Sequence, residues 1–349
     1  MAAADERTLT DDDLRHGSDE EPGIRRTGTS RFRYVDDRTG RPPSAADMER
    51  IRRLAVPPAW TDVWIAADPT SHLQATGRDA RGRKQYRYHA AFSAGTAAQK
   101  FGQLQHFGAS LGTLRRRVQR DLHGSRALGH DQVVAAVMRL LDITSVRVGN
   151  EYYAKENRSF GLTTLRDRHA AIRGDRVRFG FVGKSHRRLD IEVSNPVLAR
   201  LVRRCQELPG QMLFQYRDVD GAVRPLTSQD VNAYLTAHCW PGATAKTFRT
   251  WNASVTAGRL LSAAGDRGAA SRSTLNAVID AVADELGNTR AVCRQSYVHP
   301  EIAAAYLDGS LSRQWNRAPA ARPTGLTVDE RRLLRFLRGS TRRGAREQP

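Results

Sequence analysis

The sequence predicts an α+β protein: a small β-rich N-terminal domain plus a larger, mostly α-helical domain that contains a β-hairpin. Three observations carry this. The 349 residues suit about two domains at ~150 residues each. Between residues 31 and 91, RFRYVDD, DVWIAAD, SHLQATGRD and KQYRYHAAF alternate polar with β-favouring residues and are separated by Gly, Pro and Asp, the pattern of short strands in one sheet. Beyond residue 100 the apolar spacing becomes helical, as in KFGQLQHFGASLGTLRRRVQRDL and DQVVAAVMRLLDI.

In chain order, residues 1–29 are polar and begin acidic, which predicts a disordered arm. They show no apolar stretch of the signal-peptide kind. Residues 30–92 form the β-rich domain, within which SAADMERIRRL reads as a helix capped by Ser44 and ended before Pro57. SAGTAAQ, residues 93–99, has the small, flexible composition of a linker. Residues 100–314 form the second domain. In it, RVRFGFVG and RRLDIEV flank GKSH, a hairpin with Lys184 at its tip. The helices that follow open at Pro196, at Ser228 and at Thr244, and SRSTLNAVIDAVADELG ends at Gly287. A short helix, TRAVCRQSYVH, stops at Pro300. Residues 315–349 read as a basic tail with one amphipathic stretch, VDERRLLRFLRG.

Charge narrows the partner. A formal charge of +19 attracts polyanions, nucleic acid first among them. Of the 56 basic residues only five are lysine, namely Lys84, Lys100, Lys155, Lys184 and Lys246. A chain that uses Arg almost everywhere keeps Lys where a proton has to move, because arginine is effectively never deprotonated. No apolar run approaches the ~20 residues of a membrane-spanning helix. Three cysteines, far apart and without a CxxC, exclude a disulfide scaffold and a zinc ribbon. FVGKS imitates the end of a P-loop, but the pattern needs Gly where Arg178 stands. The ten histidines show no metal-ligand spacing.

Four spaced elements of the second domain carry chemistry: SVRVGNEYYAKEN with Arg147, RFGFVGKSH with Lys184, AKTFRTWNAS with Arg249, and LGNTRAVCRQSYVHPE with Asn288 and Tyr297. The ordered set, with its nine-residue step from Asn288 to Tyr297, resembles the catalytic domain of type IB DNA topoisomerases, in particular the bacterial and poxvirus-like branch. The likeness spans about 280 residues, from RYVDD to the helix after Tyr297. RGRKQYRYH adds the Gln-Tyr-x-Tyr element that similar enzymes press into the major groove, here Gln85, Tyr86 and Tyr88, with Arg83 beside it. Tyr86 and Tyr88 lie two apart on a strand and so share a face.

The resemblance implies a clamp of two domains on double-stranded DNA. Supercoils of either sign would relax without ATP, metal or cofactor. Tyr297 would attack the phosphorus and leave a 3′-phosphotyrosyl bond and a free 5′-hydroxyl. Arg147 and Arg249 would clamp the charge that gathers on the phosphate in the transition state. Lys184 would protonate the departing 5′-oxygen. Asn288 stands where many relatives carry His, so it would donate as a neutral amide. Tyr153 and Lys246 would contact DNA, and Lys246 has two open roles, at the scissile phosphate or on the backbone. A monomer is expected, cytoplasmic and associated with the nucleoid, with no membrane partner. Two other readings compete. A tyrosine recombinase shares the chemistry but places His three residues before the second arginine, where this chain has Lys246. An architectural DNA-binding protein explains the charge but not the set around Tyr297.

Overall fold

The computed structural model describes residues 9–29, 31–124, 128–266, 268, 270–317 and 325–344, except for the side chains of residues 153 and 340–344. It has the α+β architecture expected, and the chain divides into two compact units, Met1–Gly102 and Gln103–Pro349.

The first unit contains β1 (Ile24–Thr27), β2 (Arg33–Asp36), α1 (Ala45–Leu54), β3 (Thr61–Ile65), β4 (Leu73–Arg78), β5 (Lys84–Tyr88) and α2 (Ala90–Gly102). The strands form one antiparallel sheet in the order β2-β1-β3-β4-β5. Ser44 caps α1 by accepting the Asp47 N–H at 3.1 Å, and Ile51 packs with Ile24, Val63, Ile65 and Ala75 in a buried cluster. Thr76 pairs with Tyr86 across β4 and β5, and Ala75 with Arg87. Alternation therefore puts Tyr86 and Tyr88 on the sheet face opposite the α1 core.

Two expectations for this unit are corrected. The segment taken as a disordered arm is ordered over residues 9–29, while residues 1–8 lie outside the described residues. It holds β1 and is stitched to the sheet: the Arg15 N–H donates to Thr70 O at 3.0 Å and the His72 N–H to Arg15 O at 2.8 Å. Its carboxylates find cations, Glu21 on Arg15 and Asp19 on Lys84, and Leu14 and Ile24 bury their side chains. Charges of this arm are thus paired in the folded unit, some by partners distant in sequence. The expected linker, residues 93–99, lies inside α2. Its alanines are the best helix formers, and that propensity prevails over the single Gly95.

The second unit contains α3 (Leu104–Leu122), α4 (His130–Thr144), α5 (Glu151–Asn157), β6 (Ala170–Arg173), β7 (Arg176–Val182), β8 (Arg188–Ser194), α6 (Pro196–Gln206), β9 (Gln215–Arg217), β10 (Val223–Pro225), α7 (Ser228–His238), α8 (Ala245–Gly265), α9 (Arg272–Leu286), α10 (Arg290–Ser296), α11 (Pro300–Leu307), α12 (Leu311–Asn316) and α13 (Val328–Gly344). The expected hairpin is β7–β8, and β6 adds a third strand to it. Val177, Phe179 and Phe181 of β7 alternate inward. Helix α8 is central and touches α3, α9, α11, α12 and α13. Gly108 of α3 lets Trp251 of α8 close in, since a Cβ there would collide with the indole ring. The cap before α7 is Thr227 rather than Ser228, because Thr227 and Asp230 satisfy each other's backbone N–H groups.

The basic tail expected over residues 315–349 is corrected for 315–317 and 325–344, while 318–324 and 345–349 lie outside the described residues. Trp315 is buried, and so are Leu333, Phe336 and Leu337 of α13. Their i, i+3, i+4 spacing is an apolar stripe, which meets α3 and α8. Glu330, itself buried, accepts from both terminal nitrogens of Arg115, at 2.9 and 2.7 Å, and from the Trp251 indole at 3.2 Å. Arg115 also grips Asp142 of α4. One guanidinium thus ties α13, α3 and α4 together. Burial pushes the Glu330 carboxyl up, but the Arg115 hydrogen bond and charge outweigh it and hold the group below the ordinary glutamate range. Its contribution is therefore complete above that range and is lost as pH falls through the lower folded value. Replacing Glu330 by Ala should cost ~3 kcal/mol, the low end for breaking a buried pair, because Asp142 still holds Arg115. Urea unfolding across pH should show that gap at neutral pH and its closure in acid.

Candidate active site

Helix ends build the site. Helix α4 stops at Ser145, whose left-handed backbone (φ 55°) turns the chain toward Arg147. A short turn at Leu162–Thr164 straps that segment: the Leu162 N–H donates to Arg147 O at 3.0 Å and the Thr163 N–H to Val148 O at 2.7 Å. Gly161 permits the close approach, since a Cβ there would stand 2.6 Å from Arg147 O. Helix α9 stops at Gly287, also left-handed (φ 65°), and the next N–H, of Asn288, returns to Ala283 O at 2.8 Å. That six-to-one closure fixes where Asn288 leaves the helix.

These two ends hold Arg249 between them. It lies in α8 and is 4% exposed. One terminal nitrogen donates to Ser145 O and the other to Leu286 O at 2.7 Å. Arg147 donates to Asn288 Oδ1 at 2.7 Å. Tyr297 ends α10 and is buried. Its ring centroid is 5.1 Å from the Arg249 guanidinium carbon and 6.0 Å from Lys246 Nζ. The Tyr297 carbonyl accepts from Ser254 Oγ at 3.2 Å, and Ser254 Oγ in turn accepts the His299 N–H at 3.0 Å. Ser254 and the carbonyls of Ser145 and Leu286 had no signature in the sequence beyond their nearness to Arg249 and Asn288.

Two buried donors of this cluster, Asn288 Nδ2 and Arg249 Nε, have no hydrogen-bond partner among the described residues. Leaving such a group unpaired costs ~1–3 kcal/mol, so two of them among these cationic residues suit a site made for an anion. The charges act on Tyr297. Burial raises its phenol, but the charge and hydrogen bond of Arg249, then Lys246 and Arg147, outweigh that and hold it below the ordinary tyrosine value. Burial, then the charge of Arg249, pushes the Arg147 guanidinium down. Burial drives the nearby Cys293 thiol up to about 11, which keeps it protonated and inert. Among the described residues no three His, Cys, Asp or Glu side chains come together as metal ligands could.

The structure thus gathers Arg147, Arg249, Asn288, Tyr297 and Lys246. It does not bring Lys184 into hydrogen bond with any of them. Lys184 is exposed in the turn between β7 and β8. In the first unit, Tyr86 and Tyr88 stack in parallel with centroids 6.0 Å apart and are 47% and 44% exposed. Gln85 is on the other face. Its amide donates to Asp79 Oδ2 at 3.0 Å, beside the Arg83 Nε bond of 2.7 Å to the same oxygen. The Arg83 hydrogen bond brings the Asp79 carboxyl to about 2. The side chain of Tyr153 lies outside the described residues.

Known proteins share this chain's pattern. The family described as the catalytic core of eukaryotic DNA topoisomerase I matches residues 89–317. The one described as the N-terminal domain of bacterial DNA topoisomerase IB matches residues 31–79. DNA topoisomerase 1B of Acanthamoeba polyphaga mimivirus is 34% identical over 261 residues, which is 72% of this chain and 77% of the viral protein. DNA topoisomerase 1 of Mycosarcoma maydis is 27% identical over 183 residues, 47% of this chain and 18% of that protein. The corresponding values for DNA topoisomerase 1 of Schizosaccharomyces pombe are 30% over 148 residues, 41% and 17%.

The electrostatics make a direct prediction. Burial raises Tyr88, Tyr216 and Tyr234, whereas Tyr297 is lowered. In an ultraviolet difference titration Tyr297→Phe should remove the first phenol to ionise, and Arg249→Met should move that phase to higher pH.

Proposed function

This chain belongs to the type IB DNA topoisomerase family, and we propose that it relaxes duplex DNA by cutting and resealing one strand through Tyr297. The observation that carries the reading is the buried phenol held below its ordinary pKa by Arg249, Lys246 and Arg147, with Arg249 Nε and Asn288 Nδ2 left without a partner among the described residues.

The Tyr297 oxygen attacks the phosphorus. A Tyr–O–P bond forms, the phenolic proton leaves to solvent, and the P–O5′ bond breaks. The leaving oxygen takes a proton from the Lys184 ammonium and departs as a 5′-hydroxyl. Arg147 and Arg249 meet the charge on the non-bridging oxygens. Asn288 adds a neutral donor. Its Oδ1 is engaged by Arg147, so Nδ2 is the atom left to face a phosphate oxygen.

The 3′-phosphotyrosyl bond keeps the free energy of the broken linkage. Torsion in the duplex turns the free end, and the 5′-hydroxyl reverses the first step. Relaxation of either sign therefore needs no ATP. Two guanidiniums and an ammonium supply the positive charge at the phosphate, so activity is expected to survive a chelator. One tyrosine suffices for each cut, which fits a monomer working where the DNA is, in the cytoplasm at the nucleoid. Tyr86 and Tyr88 offer stacking surface, and Arg83, Gln85, Tyr153 and Lys246 supply further contacts. With a net charge of +19, phosphate contacts dominate affinity and make it fall steeply with salt.

The test is relaxation of positively and negatively supercoiled plasmid in EDTA without ATP. Wild type should relax both and Tyr297→Phe neither, while still binding. Arg147→Ala and Arg249→Ala should each slow relaxation roughly 100–1000-fold, the cost of one transition-state donor. A wild type that binds and leaves the topology unchanged would sink the reading.

A further inference from the structure

We propose that Arg187 is the positioning residue that docks the Lys184 turn on the C-terminal end of α9. The inference rests on the reading of Lys184 as the acid that protonates the 5′-oxygen. The turn closes with the Gly183 N–H on Arg187 O at 2.8 Å. Inside it, Ser185 and His186 both have positive φ, 64° and 57°. Residues with a Cβ keep such backbone only where their surroundings impose it. Arg187 reaches out of the turn: one terminal nitrogen donates to Asp284 O at 2.8 Å and the other stands 3.9 Å from the Asp284 carboxylate. Its Cδ lies 3.3 Å from where a Cβ of Gly287 would be, so the stem of Arg187 runs along the glycine cap.

The chemistry of the anchor suits the side chain. Asp284 O already accepts the Gly287 N–H of the cap at 3.2 Å, but a carbonyl has a second lone pair, and at the negative end of the helix dipole a guanidinium binds well. The exposed carboxylate pair adds little, and the carbonyl bond and the packed stem carry the contact. Two residues along, Leu286 O receives Arg249. Next beyond the Gly287 cap, Asn288 receives Arg147. The end of α9 therefore holds both arginines proposed for the phosphate and, through Arg187, the turn that presents the proposed acid three residues away.

Leaving-group chemistry tests this. Cleavage of a duplex by the full-length protein is followed in a single turnover with an ordinary P–O5′ bond and with sulfur in place of that bridging oxygen. A thiolate departs without a proton, so the sulfur substrate needs no acid. Lys184→Ala should slow the ordinary substrate roughly 100-fold or more and restore near-wild-type cleavage on sulfur. Arg187→Ala should slow the ordinary substrate about tenfold and come within about twofold of wild type on sulfur, with unchanged DNA affinity. Three results overturn the inference: wild-type cleavage of the ordinary substrate by Arg187→Ala, an equal defect on both substrates, or a loss confined to DNA affinity. Failure of sulfur to rescue Lys184→Ala would instead overturn the acid assignment, and the role of Arg187 would fall with it.

Discussion

The interaction on which the site depends is the burial of the Arg249 guanidinium between two helix ends. A buried charge is costly unless it is paired and hydrogen-bonded, and no carboxylate bonds to Arg249 among the described residues. Two backbone carbonyls do the pairing, Ser145 O at the end of α4 and Leu286 O at the end of α9. A carboxylate partner would neutralise the arginine and repel a phosphate. Carbonyls at helix C-termini hold it through partial charge and leave its full charge available. The choice constrains the rest of the unit. Asn252 donates to Asp142 O at 2.9 Å and to Ser145 Oγ at 2.8 Å. Arg115 then links Asp142 to Glu330. The placement of Arg249 is thus braced as far as α13, beyond the span that matches the topoisomerase catalytic core.

A site made of cations must also tolerate itself. The charge of Arg249 already lowers Arg147, and a further cation at position 288 would add to that repulsion before any phosphate arrived. Asparagine avoids it. With Oδ1 held by Arg147, the amide is polarised so that Nδ2 becomes a better donor. The neutral residue still aims a hydrogen bond at an anion, and its orientation is fixed by the arginine it accompanies. Tyr297 takes the other side of the balance, because the same cations that repel one another favour its phenolate.

Much of this was legible in the sequence, and the exceptions have physical causes. The ordered residues from Arg147 to Tyr297 point to the cluster because the chemistry demands those side chains. Strands β2 to β5 of the first unit were visible through alternation, whereas β1 lies in the segment read as an arm, and the end of α9 was visible through Gly287. The arm failed because its charges are paired by partners distant in sequence, such as Asp19 with Lys84 and Arg15 with Asp68. Residues 93–99 failed because small residues serve a linker and a helix equally, and neighbouring alanines decided it. The C-terminal segment failed because α13 carries six arginines against five apolar residues, although Leu333, Phe336 and Leu337 bury its apolar face. Backbone partners such as Ser145 O could not be read at all, since a carbonyl has no residue identity.

The lysines sharpen the division of labour. Lys84 is engaged by Asp19, and Lys100 lies over Phe101 at 4.3 Å, so neither is kept for proton transfer at a phosphate. Lys246 faces the Tyr297 ring from the first turn of α8, a fixed position that suits a constant charge. Lys184 alone of these sits on a turn rather than a helix or a strand. Groups that stabilise a transition state gain from rigidity, because they need no reorganisation as charge develops. An acid must instead meet a leaving oxygen whose position changes as the bond breaks and the strand departs. In the roles proposed for them, rigid helix ends for the arginines and a turn docked through Arg187 for the lysine would answer these two demands within one unit.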